Sequence, residues 1–370
     1  MSMLIFGFPE DIHSQAVSWA LTNAGAAVEL LDVSSFPCSR RISLSPTGPQ
    51  RNLRWSASPQ SAAGAVDCAK VGLVWCRRMN TRLLDLRGLH VDDRRVALNE
   101  SRAFIRGLWQ SVSPDAVWVN PLSAQETSLS KAHQLWQAQQ VGFAVPPTLM
   151  SNDPDAVRQF CREHSKVIMK PFFQETWSED AKEYVQLSCL IGEQHLRDDR
   201  AIELCPAIYQ QYCEKAHELR VVVMGDDLIS ARIDSQNCEA SRIDWRSDRL
   251  GQAQISAEEL TADQRTMILT LMKRLGLVFG SLDLIVQPNG EMVFLEVNEQ
   301  GQFLWLEDRC PQLDLLGRVS RFFAGHLGIS ADAWPSLADF RAANSVDHEQ
   351  ASARSLESRI SATSDVLEMA

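Results

Sequence analysis

The stretch over residues 278–302 constrains the fold more than any other part of this 370-residue chain. It holds two apolar runs on either side of Asn289-Gly290, a dipeptide typical of a tight turn between antiparallel strands. If these two residues form the centre of the turn, Pro288 faces Glu291 and the register of the whole hairpin follows. The sequence therefore predicts a β-hairpin whose cross-strand pairs can be named.

The predicted register places Asp283 directly opposite Glu296, with Asn298 two residues further along the same face. Opposed carboxylates between apolar strands repel each other, so the pair needs a compensating positive charge. Two carboxylates and an amide oxygen suit Mg²⁺, which keeps several waters and takes further ligands from phosphate groups. The alternative is that one carboxylate is protonated or pairs with a buried arginine.

Composition and charge indicate a folded protein without nucleic-acid or membrane partners. Asp and Glu outnumber Lys and Arg 47 to 36, and the net charge of -11 opposes attraction to nucleic acid or anionic lipid. The chain has no apolar run of about 18 residues, and its N-terminal run is a poor match to a signal peptide. The nine cysteines form no CxxC pair, which argues against zinc and redox motifs and favours a cytoplasmic location.

The first 122 residues predict a Rossmann-like α/β unit. Apolar strands over 4–8, 28–33, 72–76 and 117–120, with a helix that Asp11 begins and Gly25 ends, are typical of an open sheet. The first turn lacks the GxGxxG pattern of dinucleotide-binding proteins. Residues 34–66 are rich in Ser, Pro and Gly and predict a long loop or insertion.

A second α/β unit is predicted to follow Pro146-Pro147, and a helix over 153–164 opens it. Residues 171–183 predict a polar loop, and Gly225-Asp226-Asp227 predicts a hairpin turn. Thr261 and Gln264 predict a capping box at the start of a helix that ends at Gly276. The predicted strands lie over 167–170, 184–191, 207–213, 219–224 and 228–234, and the predicted domains are 1–122, 123–205, 206–330 and a polar, partly disordered 331–370.

Two lysines and one strand end are candidates for nucleotide binding. Lys170 closes the strand VIMK, and Lys131 lies on the helix before the second unit; each contacts phosphate or is a plain surface lysine. The segment Tyr209-Gln210-Gln211-Tyr212-Cys213 is the end of a strand that presents backbone groups to a purine or is an interior strand.

Four charged residues are predicted to share one sheet face. Glu218 and Arg220 alternate on one strand, and Arg232 and Asp234 alternate on its hairpin partner. This face is either a solvated surface or the floor of a site. Asp234 is a candidate general base, and the alternative is an ion pair with Arg232 or Arg246.

The chain resembles the ATP-grasp ligases over residues 120–327. The resemblance rests on residues that follow one another in the same order as in that family: Lys131, Lys170, the YQQYC strand, Glu218 with Arg220, Asp283 and Glu296-Val-Asn298. The preceding α/β unit resembles their N-terminal domain. A narrower similarity is to the microviridin-type peptide ligases, also called graspetide synthetases. It rests on the segment KAHELRVVVMGDDLISARIDSQ, followed by IDWR, GLVFGSLDLIV and VFLEVNEQGQFLWLE. Those enzymes join side chains of a precursor peptide into macrolactones or macrolactams.

The resemblance implies an α/β ATP-grasp fold with an N-terminal Rossmann-like pre-ATP-grasp domain, and it implies ATP and two Mg²⁺ ions as cofactors. Two departures stand out. Gln211 lies where such hinges often carry Glu, and the loop over 171–183 has no glycine. The implied roles are phosphate binding by Lys131 and Lys170, a nucleotide-binding hinge of Gln210, Gln211, Tyr212 and Cys213, ribose binding by Glu218, magnesium binding by Asp283, Glu296 and Asn298, and catalysis by Arg220, Lys170, Arg232 and Asp234.

The implied function is an ATP-dependent peptide macrocyclase. It activates Asp or Glu side chains of a ribosomally made precursor peptide with a leader as acyl phosphates, and joins them to Ser, Thr or Lys side chains. The alternatives are a ligase of free amino acids or of a protein terminus, and a catalytically silent binding module. The helical surface over 92–112 is a candidate homodimer interface. The eight arginines within 77–106 form either a solvated helix face or an electropositive face for an acidic peptide.

Overall fold

The computed structural model describes residues 1–47, 51–58, 62–78, 84–113, 115–173, 176–179, 182–248 and 251–344. The chain forms two compact units. Unit 1 contains Met1–Gln125, Gly276–Phe279 and the chain from Glu299 onward, and unit 2 contains Glu126–Leu275 and Gly280–Asn298. Within the described ranges, no helix is long and apolar enough to cross a membrane. The predicted boundaries after residues 122, 205 and 330 stay predictions.

Helices and strands alternate along the described chain, as expected of an α/β protein. The helices are α1 (Ile12–Asn23), α2 (Val91–Ser111), α3 (Leu122–Ser128), α4 (Lys131–Val141), α5 (Pro154–Glu163), α6 (Asp199–Leu204), α7 (Ala262–Leu275), α8 (Leu304–Arg309), α9 (Leu315–Leu327) and α10 (Leu337–Asn344). The strands are β1 (Ser2–Phe6), β2 (Ala27–Leu31), β3 (Ile42–Ser45), β4 (Asn52–Trp55), β5 (Gly64–Asp67), β6 (Val71–Cys76), β7 (Val117–Val119), β8 (Thr148–Ser151), β9 (Val167–Lys170), β10 (Thr176–Glu179), β11 (Lys182–Val185), β12 (Cys189–Leu190), β13 (Ala207–Gln211), β14 (His217–Met224), β15 (Asp227–Ile233), β16 (Ile255–Ala257), β17 (Phe279–Val286) and β18 (Met292–Asn298).

Unit 1 contains the predicted open sheet, in the strand order β2-β1-β6-β7 with all strands parallel. Asp11 begins α1, because its carboxylate accepts a hydrogen bond from the Ser14 N–H at 2.9 Å. Of the two alternatives for 34–66, the long loop is wrong and the insertion is confirmed, since β3, β4 and β5 form a separate antiparallel sheet between β2 and β6 in the chain. Leu53 and Trp55 alternate into the core of this unit, but four-residue strands give too short a periodicity to be recognised.

A buried polar cluster lies beside the first helix of unit 1. The Arg77 guanidinium donates to Asp11 from Nε and Nη2 at 3.1 and 3.0 Å, and from Nη1 to the Gln300 carbonyl at 3.2 Å. His13 Nε2 accepts a hydrogen bond from the Phe303 N–H at 3.0 Å. One of the predicted surface arginines is therefore a buried ion-pair partner. Arg82, another of that group, lies outside the described residues.

Unit 2 contains two larger antiparallel sheets, in the orders β12-β9-β13-β8 and β16-β15-β14-β17-β18. Thr261 and Gln264 form the predicted capping box with hydrogen bonds of 2.9 and 3.2 Å, and α7 ends before Gly276, whose φ of +69° lies in the left-handed region. The prediction of a loop over 171–183 is wrong, because β10 and β11 pair as antiparallel strands there. Residues 174, 175, 180 and 181 of that segment lie outside the described residues.

The end of the chain differs in part from the prediction of a polar tail after residue 330. Helix α10 lies in this segment, and Leu337 and Phe340 are buried. Residues 345–370 lie outside the described residues.

Candidate active site

The turn of the hairpin formed by β17 and β18 has three residues, one more than predicted. The Gln287 N–H donates to the Glu291 carbonyl at 2.9 Å, and the Gly290 N–H donates to the Gln287 carbonyl at 2.9 Å. Gly290 has a φ of +85°, which suits the last residue of a three-residue hairpin loop. The two-residue turn at Asn289-Gly290 is therefore wrong by one residue.

A bulge further along the hairpin restores the predicted pair. Leu284 lies opposite Phe294, but Asp283 lies opposite Glu296, so Leu295 is an extra residue in β18. The predicted pairing of Asp283 with Glu296 is confirmed because the longer turn and the bulge offset each other.

One face of the five-stranded sheet brings together residues from three strands. Glu218 and Arg220 alternate on β14, Asp283 follows on β17, and Glu296 and Asn298 lie on β18. The Arg220 guanidinium donates to the Asp283 carboxylate at 2.7 Å, and the Asn298 amide donates to the same carboxylate at 3.3 Å. The three predicted magnesium ligands therefore lie together with a buried arginine.

Cations compensate both carboxylates of the site. Burial raises the pKa of Asp283, although Arg220 opposes this shift. Burial acts in the same direction on Glu296, but Lys131, Arg246 and Lys170 together outweigh it and lower the pKa of Glu296 to about 2. Lys131 is the first residue of α4, and α4 packs against β18. This packing explains how a lysine 165 positions away in sequence reaches Glu296.

Arg246 is a further cation of the site that was considered in the sequence only as a partner of Asp234. Its guanidinium binds the Asp244 carboxylate with two hydrogen bonds of 2.8 and 2.6 Å, and Asp244 also accepts from the Ser188 N–H at 3.2 Å. Partial burial acts to lower the pKa of Arg246, but Asp244 and then the Glu296 charge raise it. Arg246 therefore lies close enough to the carboxylate pair to interact with it. The feature of the sequence that could have identified Arg246 as a site residue is the IDWR motif.

Lys170 lies at the end of β9, where a neutral group holds it. Its ammonium donates to the Gln210 side-chain oxygen at 2.6 Å. Burial lowers the pKa of Lys170 to about 8, with Glu296 opposing this shift and Lys131 adding to it. The ammonium thus lies in the field of the site without a carboxylate partner of its own among these contacts.

The predicted hinge begins within β13, which includes Gln210 and Gln211 and lies between β9 and β8. The Gln211 N–H donates to the Pro147 carbonyl at 2.9 Å, and the Tyr212 N–H donates to the Lys166 carbonyl at 2.9 Å. These two N–H groups are therefore engaged within the protein. Among Gln211, Tyr212 and Cys213, the half-buried Cys213 is therefore the remaining candidate whose backbone N–H would contact a base edge.

Glu218, the predicted ribose ligand, is buried and paired. Its carboxylate accepts from the Lys215 ammonium at 2.8 Å, and Lys215 also donates to the Ile243 carbonyl at 3.1 Å. Burial raises the pKa of Glu218, and Lys215 opposes this shift. Hydrogen bonding to a ribose hydroxyl therefore has to use the remaining lone pairs of this carboxylate.

Arg232 and Asp234 do not share the face of Glu218 and Arg220, so the prediction of four charges on one face is wrong. Arg232 pairs with Leu219, whereas Arg220 pairs with Ala231, so the side chains of the two arginines point to opposite faces. Arg232 donates to Asp234 at 2.7 Å, which is the ion-pair alternative. Catalytic roles for these two residues therefore no longer follow from the sheet geometry.

The donor set of this face fits a hard cation. In the described part of the chain, no three His, Cys, Asp or Glu side chains gather as a metal cluster. A magnesium site here consequently depends on Asp283, Glu296 and Asn298, with water and phosphate oxygens as the other ligands. Opposed carboxylates that already attract three cationic side chains show the demand for positive charge at this place.

Comparison with protein families gives two matches in tandem. Residues 2–126 match the MvdD pre-ATP grasp domain, and residues 135–298 match the ATP-grasp domain of prokaryotic glutathione synthetase. No curated protein matches the chain.

Solved structures resemble the chain over nearly its full length. The RiPP-associated ATP-grasp ligase of Chryseobacterium gregarium, solved with ADP and a leader and core peptide, is 27% identical with a TM-score of 0.76 over 90% of this chain and 98% of that one. The macrocyclase MdnC of Microcystis aeruginosa, bound with precursor peptide MdnA, is 28% identical with a TM-score of 0.74 over 88% and 100%. The macrocyclase MdnB of the same organism is 25% identical with a TM-score of 0.69 over 87% and 97%.

The fold, the site and these matches define the chain as an ATP-grasp ligase, an ATP-dependent enzyme with a pre-ATP-grasp domain at its N-terminus. Within that superfamily the chain resembles the microviridin-type peptide ligases, the graspetide synthetases, through its N-terminal domain and through these solved structures. Both the family and the α/β ATP-grasp fold predicted from the sequence are confirmed.

Proposed function

We propose that this chain is an ATP-dependent peptide macrocyclase acting on a ribosomally made precursor peptide with a leader. The observation that carries the proposal is the face where Asp283 and Glu296 oppose each other among Arg220, Lys131 and Arg246. Such a face suits a transferring phosphoryl group, because cations and carboxylate-bound metal neutralise its charge. Support for the substrate comes from the macrocyclase MdnC, solved with its precursor peptide, and from the Chryseobacterium ligase, solved with a leader and core peptide.

The nucleotide roles follow the positions of the side chains. Asp283, Glu296 and Asn298 hold two Mg²⁺ ions, which supply charge neutralisation when bound. Lys131 and Lys170 contact phosphate oxygens, and Arg220 and Arg246 face the phosphoryl group in transfer. The segment from Gln211 to Cys213 binds adenine, and Glu218 binds ribose.

Lys131 compensates the charge of Glu296, because its ammonium forms an ion pair with that carboxylate. A divalent cation held by Asp283, Glu296 and Asn298 would supply positive charge at the same place, and Lys131 would then contact the phosphate groups.

The chemistry needs positioning more than covalent participation. An Asp or Glu carboxylate oxygen of the peptide bonds to the γ-phosphorus as the bond to the β,γ-bridging oxygen breaks, giving an acyl phosphate and ADP. A Ser or Thr hydroxyl, or a Lys amine, then bonds to the acyl carbon, its proton is lost, and phosphate leaves. Each ring closure removes one water from the peptide. The paired strands β10 and β11 are proposed to exclude water from the acyl phosphate.

The proposal also includes finer points, namely two magnesium ions rather than one, a homodimer paired through the surface over 92–112, and a cytoplasmic location consistent with nine free cysteines in a chain without CxxC pairs. Each of these can fail without the ligase chemistry failing.

The test incubates the protein with Mg²⁺, ATP and each short peptide encoded beside its gene, and records intact peptide mass together with ADP release. We expect loss of one or more waters with one ADP per water lost. Hydroxylamine then separates esters, which it cleaves, from amides. Full activity on a leaderless core peptide contradicts the leader-dependent proposal, and ADP release with a free amino acid but no dehydrated peptide indicates an amino-acid ligase instead.

A further inference from the structure

The side chain of Gln210 lies at the centre of a chain of hydrogen bonds in the sheet formed by β12, β9, β13 and β8. It is buried, with 2% of its surface exposed. Its amide oxygen accepts from the Lys170 ammonium at 2.6 Å, and its amide nitrogen donates to the Thr148 hydroxyl at 2.9 Å. The Thr148 hydroxyl in turn donates to the Pro146 carbonyl at 2.7 Å.

Strand register explains why these side chains meet. Gln210 on β13 lies directly opposite Thr148 on β8. On the other side Lys170 of β9 lies opposite Ile208, so Gln210 is its diagonal neighbour on the same face. The contact between Gln210 and Lys170 is therefore built into the sheet and does not depend on a loop.

The direction of each bond in this chain is fixed. Thr148 has one hydroxyl proton, which the Pro146 carbonyl receives, so its oxygen is left as an acceptor. An acceptor at this place requires the NH₂ group of Gln210, and the amide oxygen of Gln210 then points at Lys170. Both ends of the Gln210 amide are thereby assigned by partners that cannot exchange roles.

We propose that Gln210 is a positioning residue that aims the Lys170 ammonium at the phosphate groups of the nucleotide, and that it does not contact the adenine base. This inference rests on the proposed function of Lys170. A neutral amide holds an ammonium in place without cancelling its charge, whereas a carboxylate at the same position would take that charge for itself. Thr148 acts one step further out by fixing the orientation of the Gln210 amide.

Nucleotide binding tests this assignment. We expect Gln210→Met to weaken MgADP binding by about tenfold, since an uncompensated hydrogen bond to a charged group is lost. Adenosine, which has no phosphate, should bind the variant and the wild-type protein equally. In a Lys170→Met background, Gln210→Met should change MgADP affinity by less than about twofold, because the group it positions is absent.

Thr148→Val is the matched variant, as it keeps the shape of the side chain and removes only the hydroxyl. It should weaken MgADP binding about threefold and leave adenosine binding unchanged. A loss of adenosine affinity in Gln210→Met, or an equal loss of MgADP affinity with and without Lys170, overturns the proposal. A Lys170→Met protein that binds MgADP as well as wild type also overturns it.

A second measurement does not depend on nucleotide binding. Pulsed labelling of lysines with acetic anhydride across pH, read by mass spectrometry on the full chain, reports the protonation of Lys170. Gln210→Glu should raise the labelling midpoint of Lys170 by at least one pH unit, and an unmoved midpoint overturns the contact. If these results hold while no peptide is cyclised, the macrocyclase function fails and the positioning role stands.

Discussion

The Arg220 guanidinium and the Asp283 carboxylate form a buried ion pair at 2.7 Å on the face that carries the predicted magnesium ligands. The sequence left two explanations for the opposed carboxylates, a metal ion or a buried arginine. The structure contains the arginine, and the two explanations are compatible because each carboxylate oxygen has two lone pairs. The cationic side chains of the protein therefore compensate the charge of this face.

Replacing the carboxylate of Glu296 should stop catalysis. We expect Glu296→Gln to lower ADP release and peptide dehydration by at least about 100-fold, because the amide is a weaker metal ligand and carries no charge. Glu291→Gln, an exposed change at the turn of the same hairpin, is the matched control and should keep full activity. Unchanged turnover in Glu296→Gln contradicts the metal assignment.

Arg220 should contribute to stability most strongly when metal is absent. Arg220→Met leaves Asp283 buried without its cation, and we expect a loss of about 3–5 kcal/mol in the free energy of unfolding. Mg²⁺ with ADP should raise the melting temperature of this variant more than that of the wild-type protein, since the metal restores positive charge. Thermal unfolding with and without MgADP measures both effects.

The control for this variant is Arg200→Met. Arg200 and Glu203 form an exposed ion pair, with 72% and 49% of their side-chain surfaces accessible. Its loss should change the free energy of unfolding by less than about 1 kcal/mol. Equal destabilisation by the two changes argues against a special role for the Arg220 pair.

Arg246 should matter to the chemical step. Lys cannot reproduce the two parallel hydrogen bonds to Asp244, so Arg246→Lys should lower kcat roughly 100-fold. Arg242→Lys, on an exposed residue of the same segment, should leave kcat within about twofold of wild type. Single-turnover ADP formation separates the two, and a wild-type rate in Arg246→Lys removes Arg246 from the site.

Acid should destabilise the protein through His13. Burial lowers the pKa of His13 from 6.5 to about 4, and Arg77 acts in the same direction. His13 binds a proton near pH 6.5 in the unfolded chain but only near pH 4 in the folded chain. The unfolded state thus holds more protons in this window, and the free energy of unfolding falls by about 3 kcal/mol as the pH drops from 7 to 4.

Urea unfolding at several pH values measures this loss. His13→Asn should flatten the dependence between pH 4 and pH 6.5, whereas His90→Asn should leave it unchanged because His90 is exposed. Burial acts to raise the pKa of Asp11, but Arg77, His13 and Arg78 together hold it well below 3.8, so Asp11 adds a further loss only at still lower pH. A flat stability profile down to pH 4 in the wild-type protein contradicts this account.

The pairing of Asp283 with Glu296 was predictable, although not for the reason first given. The Asn289-Gly290 signal located the hairpin correctly, but a two-residue turn was assumed where three residues form the loop. The bulge at Leu295 then corrected the register. Bulges have no reliable signature in a single sequence. The predicted pair is therefore correct only because the bulge cancels the error in the predicted turn length.

The face of Arg232 shows the opposite outcome. A three-residue turn over Gly225-Asp226-Asp227 places Arg232 on the face of Arg220, whereas the observed two-residue turn pairs Met224 with Asp227 and turns Arg232 to the other face. One residue of register reverses every side chain of a strand. Arg246 was missed for a different reason, because irregular segments carry no periodicity from which contacts can be inferred.

The path of the chain has a consequence for dissecting the enzyme. The chain passes from unit 1 to unit 2 and back twice, and Phe279 and Glu299, the residues that border the hairpin with the predicted magnesium ligands, both belong to unit 1. No single cut in the gene yields either unit whole, and a fragment ending before residue 276 retains β14 but lacks both Asp283 and Glu296. The catalytic half of this enzyme cannot be transplanted as one uninterrupted piece of sequence, and a chimaera must exchange the short hairpin separately.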